Sequence, residues 1–188
     1  DGAQNWLSLS ISVNGGAPAV LNQTLNDLNS YTSFGGTAQV DDLDGNRLDD
    51  GGSLYKWDFL NRLREVRRKS DNVLIAIYTY DATQPGLNGS GRRVRRTIVN
   101  SGAHNEDLRC LWDGRALIQE QDALSGALVK QYVQAGLGRP LEQGNDTNAD
   151  GILDQALFHH ENAMGWTQAI SDALGTVLER YAYDAYGA

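Results

Sequence analysis

Tyr55-Lys56-Trp57-Asp58-Phe59-Leu60-Asn61-Arg62-Leu63 is the stretch whose reading decides the fold of this chain. Its two aromatic residues alternate with a lysine, so both fall on one face of an extended strand. Asp58 and Asn61 are turn formers, and Arg62-Leu63 resumes extended chain. The segment reads as strand, turn, strand. Degenerate copies follow as Tyr78-Thr79-Tyr80-Asp81, with Gly91-Arg92-Arg93-Val94 beyond an insertion, as Leu111-Trp112-Asp113-Gly114, and as Tyr181-Ala182-Tyr183-Asp184-Ala185-Tyr186-Gly187. The aspartates lie 81 − 58 = 23, 113 − 81 = 32 and 184 − 113 = 71 residues apart, the last close to three times 23. A period in the twenties marks a repeat architecture, which argues for scaffold or binding surface and against a single-site enzyme.

Composition points the same way. The 188 residues include 21 Gly, 8 Tyr and 4 Trp against 3 Pro and 1 Met, the balance expected of many short strands joined by tight turns. The net charge of −8 speaks against a nucleic-acid-binding domain, where a basic balance is expected, and favours a soluble, extracellular-tolerant surface or affinity for cations. Cys110 is the only cysteine, so no intrachain disulfide forms. No run of about 18 apolar residues occurs, so no membrane span is expected. The chain opens at Asp1 without Met and closes at Gly187-Ala188, and it reads as a piece of a longer protein.

Along the chain, residues 6–13 alternate apolar and polar as a half-buried strand, and Asn14-Gly15-Gly16 suits a hairpin turn. Leu21, Leu25 and Leu28 are spaced for a short helix over residues 20–31, which the Asn and Thr content opposes. From Gln39 onward everything reads as strand and turn. Residues 73–80 are apolar or aromatic on both faces. Residues 122–132 and 172–181 are two similar hairpins offset by 172 − 122 = 50. Residues 83–90 form an exposed loop.

These motifs resemble the YD-repeat family: bacterial Rhs proteins, the C component of insecticidal Tc toxins, wall-associated proteins and the teneurin shell. The family pattern, Tyr-x-Trp-Asp-x-x-Asn-Arg-Leu in one form, matches residues 55–63 at each defined position. Phe158-His159-His160-Glu161-Asn162-Ala163-Met164-Gly165 is similar to the aromatic-His-x-Asp-x-x-Gly unit of the Rhs-associated core, with Glu161-Asn162 departing from it. The resemblance covers residues 24–188, with residues 1–23 as a lead-in strand and turn, and treats the whole as a single repeat array. It implies an all-β, antiparallel sheet of successive hairpins, a segment of a coiled hollow shell. Its implied partners are flanking repeats and a C-terminal effector of the parent chain.

Several residues invite chemistry. Asp146, Asn148, Asp150, Ile152 and Asp154 present side-chain oxygens at positions 1, 3, 5 and 9 of a calcium loop, with the Ile152 carbonyl at 7 and Gly151 at the turn. The twelfth position is Leu157, so Glu142 or Glu161 would have to complete the set. The Asp41 to Asp50 cluster is a less regular candidate. His159 and His160 point to opposite strand faces and do not readily share one zinc ion, with His104 or otherwise. Cys110 stands in a strand as a buried, inert thiol. The run Arg92-Arg93-Val94-Arg95-Arg96 and the basic residues 62–69 split between faces and suit ion pairs. No catalytic motif is present.

The expectation is a non-catalytic structural segment of a large secreted or cell-surface protein, its shell enclosing or presenting an effector. The alternative is a calcium-stabilised adhesive module that binds surface carbohydrate. An enzyme or toxin domain is the weakest reading. Open sheet edges predict self-association or dependence on the parent chain.

Overall fold

The computed structural model describes residues 8–11, 17, 19–27, 30–81, 91–135 and 139–183. Asn14-Gly15-Gly16, residues 83–90 and the end of the motif at residues 184–187 lie outside them. Two compact units form, one within residues 1–78 and 98–105, the other within residues 79–97 and 106–188. Both are all-β and antiparallel, as the alternation and turn chemistry predict.

The first unit contains a four-stranded sheet of β1 (Ser8–Ile11), β2 (Ala19–Leu25), β3 (Tyr31–Phe34) and β4 (Thr37–Ala38), side by side in that order. The helical option over residues 20–31 gives way to strand. Thr24 Oγ1 meets the hydroxyls of Thr32 at 2.8 Å and Ser33 at 2.7 Å, and Gln23 lies opposite Phe34. β-Branched and hydroxyl side chains favour such cross-strand pairing over a helix. Strands β5 (Val40–Asp41), β6 (Arg47–Asp49), β7 (Ser53–Trp57), β8 (Leu63–Arg68) and β9 (Leu74–Tyr80) follow, also in sequence order. In the second unit β10 (Arg93–Ile98), β11 (Glu106–Asp113), β12 (Ala116–Asp122), β13 (Leu128–Gln134), β14 (Pro140–Asn145), β15 (Gln155–Glu161), β16 (Thr167–Ser171) and β17 (Val177–Arg180) are successive neighbours, with β17 outermost.

The founding segment is the β7–β8 hairpin. Tyr55 faces Val66, Lys56 faces Glu65 with a 2.8 Å ion pair, and Trp57 faces Leu63 after a one-residue register shift. Asp58 Oδ1 accepts the backbone N–H of Leu60 (2.9 Å) and Arg62 (3.1 Å), while its Oδ2 accepts Nε of Arg62 (2.8 Å). Asn61 takes the left-handed conformation at φ 58°, which Asn tolerates better than most residues. The same device recurs without the aromatic pair. Asp42 accepts from Asp44 and Asn46, Asn162 from Met164 and Trp166, and Asp172 from Leu174 and Thr176. Gly45, Gly165 and Gly175 occupy the left-handed position there. One acceptor side chain, its second and fourth successors, and one left-handed residue between them define this turn.

Among the described residues the buried apolar ones are few: Ala76 on β9, and Leu108 and Cys110 on β11. Gly144 on β14 packs against Leu153, whose Cδ1 would have to move from 2.7 Å to admit a Cβ there.

Candidate functional site

The most enclosed polar group is Glu120 on β12, only 2% exposed. Cys110, Glu120 and Lys130 are direct cross-strand partners on β11, β12 and β13, so they share one face. The Glu120 carboxylate accepts a hydrogen bond from Tyr132 Oη at 3.2 Å and faces Arg96 Nη2 at 3.6 Å and Lys130 Nζ at 3.9 Å. Arg96 Nε also meets Glu106 at 2.5 Å. Partners from β10 and β13 thus offset the cost of burying this charge. Burial, then the Glu120 charge, drives the Tyr132 phenol well above its ordinary range. The same two causes raise the Cys110 thiol, keeping it protonated and a poor nucleophile. Sequence reading missed this group. Its signal is a glutamate at an inward position of a strand, visible only once the register is known.

The expected calcium residues fall in the β14–β15 connection and turn their carboxylates on the loop's own donors. Asp146 Oδ1 accepts from the N–H of Asn148, Ala149 and Asp150, and its Oδ2 from Gly151 at 2.7 Å. Desolvation opposes ionisation there, but these four N–H bonds hold the Asp146 carboxyl below its usual value. Asp154 accepts from Thr147 N (3.0 Å) and Oγ1 (2.9 Å), and Asp150 from Ile152 N (2.8 Å). Asn148 donates to Asp150 and accepts from its N–H. Glu161 is engaged with Arg139, and Glu142 stands opposite Phe158. Among the described residues no three His, Cys, Asp or Glu side chains converge as a metal site.

The histidines separate as alternation requires. His159 faces Ile170, and its buried Nε2 has no hydrogen-bond partner among the described residues. Burial lowers its pKa, against the raising influence of Glu161. His160 faces Ala169, and its Nε2 lies 2.8 Å from the buried Ser171 Oγ. His104 ends the 3₁₀ turn Gly102–His104. The arginine run is largely neutralised by carboxylates: Arg95 pairs with Asp107 and Arg96 with Glu106, while Arg92 lies 6.0 Å over the Trp112 ring.

The corner made by β14 to β17 is different. Trp166 and Tyr183 stack at 5.4 Å between centroids with a 56° tilt, and Tyr183 Oη donates to Thr167 O at 2.6 Å. Both rings remain more than a third exposed, as does Tyr181. Arg180, opposite Ala169 on a fully exposed strand, has no hydrogen-bond or ion-pair partner among the described residues. Arg139 pairs with Glu161 and packs on the Gly165 turn. This corner can offer aromatic faces and a cation to a ligand. The sequence marked Tyr181 and Tyr183 only as a copy of the aromatic-Asp motif and did not mark Trp166 or Arg180.

No protein-family model matches the chain. It is 30% identical over 178 residues, 94% of its length, to the tRNA3(Ser)-specific nuclease WapA of Bacillus spizizenii. It is 29% identical over the same span to the tRNA nuclease WapA of Bacillus subtilis strain 168, and 30% identical over 169 residues to the tRNA(Glu)-specific nuclease WapA of Bacillus subtilis subsp. natto. The chain spans only 6–7% of the length of these relatives.

These findings correct the identification as a YD-repeat or Rhs shell segment, the reading of the chain as a non-catalytic scaffold, and the adhesive alternative. The relatives are named as nucleases, which are enzymes. The physical reason for the error lies in the Asp58 turn. Its bonding recurs where antiparallel hairpins close at Asp42, Asn162 and Asp172, so the motif reports turn chemistry and not the work of the polypeptide.

Proposed function

We propose that this chain is a segment of a nuclease polypeptide that cleaves tRNA. The single observation that carries this reading is about 30% identity, sustained over 94% of the chain, to proteins named as tRNA nucleases. The β14 to β17 corner supports it, because exposed aromatic rings and an unpaired guanidinium are the groups that unstacked nucleotides engage. The test is to express the parent polypeptide and resolve its action on total tRNA by gel electrophoresis. Cleavage products that vanish when residues 139–183 are replaced by an unrelated hairpin array support the reading. Intact tRNA after prolonged incubation with the folded parent overturns it.

Three further expectations belong to the same proposal. The parent acts outside the cell that makes it, which the acidic surface and single buried cysteine suit. The outermost strand β17 pairs with a neighbouring segment or a second copy, as an open edge invites. Calcium binds through Asp146, Asn148, Asp150, Ile152 and Asp154, a reading supported by their alternating oxygens. Calorimetry at millimolar calcium tests the last, and an absence of heat ends it.

A further inference from the structure

We propose that one end of the second unit's sheet, the rim formed by the β12–β13, β14–β15 and β16–β17 turns, is a docking surface for a basic amphipathic helix of a partner protein. In a sheet of successive hairpins alternate turns fall at the same end, so these three stand in a row. Each lifts one aliphatic side chain into solvent: Leu124 is 96% exposed, Ile152 68% and Leu174 92%. Each of these residues has its backbone N–H held by an aspartate of its own turn, Asp122 at 3.1 Å, Asp150 at 2.8 Å and Asp172 at 2.9 Å. The β12–β13 and β14–β15 turns also touch, since a Cβ on Gly151 would stand 3.6 Å from Ala127 Cβ. Single exposed aliphatic residues need no explanation, but a row of them rimmed by polar groups marks an interaction surface.

Charge selects the partner. Asp122, Asp146, Asp150, Asp154 and Asp172 lie in these turns, and none forms an ion pair among the described residues. Bonds from Ser125 hold the Asp122 carboxyl below its usual value, so its charge persists at neutral pH. Nearby cations are mostly engaged: Lys130 faces Glu120, and Arg95 is matched by Asp107. Arg109 reaches the rim beside Gly126 while donating to Gln121, so the row keeps a charge of 1 − 5 = −4. Such a rim repels a second copy of itself and any polyanion, and attracts lysine and arginine. At the opposite end of the sheet Glu161 is matched by Arg139. Spacing selects a helix. Neighbouring strands lie about 4.8 Å apart, so alternate turns recur at roughly 10 Å. Seven residues of α-helix rise about 10.5 Å and return to nearly the same face. An extended chain covers that distance in about three residues, which turns successive side chains to opposite faces. A helix with an apolar residue at each seventh position, flanked by lysine or arginine, meets all three tips and the carboxylates beside them. This surface is independent of the nuclease reading and of the open β17 edge, which runs along the strand and not across its end.

The test is fluorescence anisotropy of a labelled peptide of about 20 residues, with leucine at every seventh position and lysines beside it, against the folded 188-residue chain in EDTA. Binding is expected with Kd below ~100 µM. A scrambled peptide of the same composition, and one with glutamate in place of lysine, are each expected to bind at least about tenfold more weakly. Leu124→Ala, Ile152→Ala and Leu174→Ala are each expected to weaken binding about fivefold, and the triple variant to abolish it. These side chains are exposed, so the variants keep the fold, which circular dichroism checks. Asp172→Asn preserves the turn acceptor, removes one charge and is expected to flatten the fall of affinity with salt. Met164→Ala, on the β15–β16 turn at the opposite end, is expected to leave binding unchanged. No binding of the leucine–lysine peptide at ~100 µM, equal binding of the scrambled or glutamate peptide, or unchanged affinity in the three rim variants each overturn the proposal. So does sedimentation in which the unaltered chain self-associates and the triple variant does not, since a second copy would then occupy the rim. The chelator keeps calcium from the acidic loop, so the calcium reading stands or falls separately.

Discussion

Glu120 and Asp58 are both carboxylates paired with arginine, yet they hold the molecule in opposite ways. The Asp58 carboxylate bonds to Leu60 and Arg62, within four residues of it. Glu120 draws its partners from β10 and β13, with Arg96 24 residues before it (120 − 96) and Tyr132 12 residues after it (132 − 120). The first closes a single loop, whereas the second joins three strands through one buried charge. Local bonds define hairpins, and only distant ones fix how hairpins register against each other.

That contrast can be broken at four points, in falling order of effect. Glu120→Ala should cost about 3–5 kcal/mol, since it strands Arg96 and the Tyr132 hydroxyl in a dry interior. Chemical denaturation reads this, and a loss below about 1 kcal/mol would mean the cluster is hydrated. Asp58→Ala should cost about 1–3 kcal/mol through its turn bonds, with Asp58→Asn milder because an acceptor survives. Hydrogen exchange should show the loss confined to β7 and β8, and spread into the Glu120 strands would erase the distinction.

Acidity sharpens it further. Burial opposes ionisation of Asp58, but Arg62 and two backbone N–H groups hold its pKa below 3.8. Its contribution to stability is therefore complete above pH 3.8 and fades as pH falls through the lower folded value. His159 behaves differently. Its pKa lies below 6.5 because it is buried, so the unfolded chain binds the proton more readily. Stability falls as pH drops below about 6.5, toward the lowered folded value. His159→Phe should flatten that limb of the melting profile, and an unchanged limb would assign it elsewhere. The smallest effect is Asn61→Gly, which relieves the left-handed position at φ 58° and changes stability by less than about 1 kcal/mol.

What sequence made legible follows the same division. Residues 55–63 announced strand and turn because alternation and Asx bonding operate within a few residues. The same holds for the similar hairpins at Asp122 and Asp172. Glu120 was invisible because its face depends on register, and one-residue shifts at Leu111/Trp112 and Glu120/Gln121 interrupt simple alternation. The Trp166–Tyr183 pair spans 183 − 166 = 17 residues and a hairpin, so no local pattern displays it. The loop of residues 146–154 shows a further layer that spacing leaves out. Oxygens at regular spacing suggest an ion, and the structure adds that the Asp146 carboxylate accepts backbone N–H groups of its own loop. The aromatic-Asp motif misled about function for a related reason, since it encodes a closure that many kinds of chain require.

The self-contained turn has a consequence for how this polypeptide can move between compartments or off a ribosome. Among the described residues the loops after Asp42, Asp58, Asn162 and Asp172 are each latched by their own carboxylate or amide, and within each sheet a strand lies beside those that precede and follow it in the chain. Such a chain need not wait for its far end before it begins to order. Threaded through a narrow opening as extended polymer, it can zip up one hairpin at a time in order of emergence, with each finished hairpin serving as the template for the next.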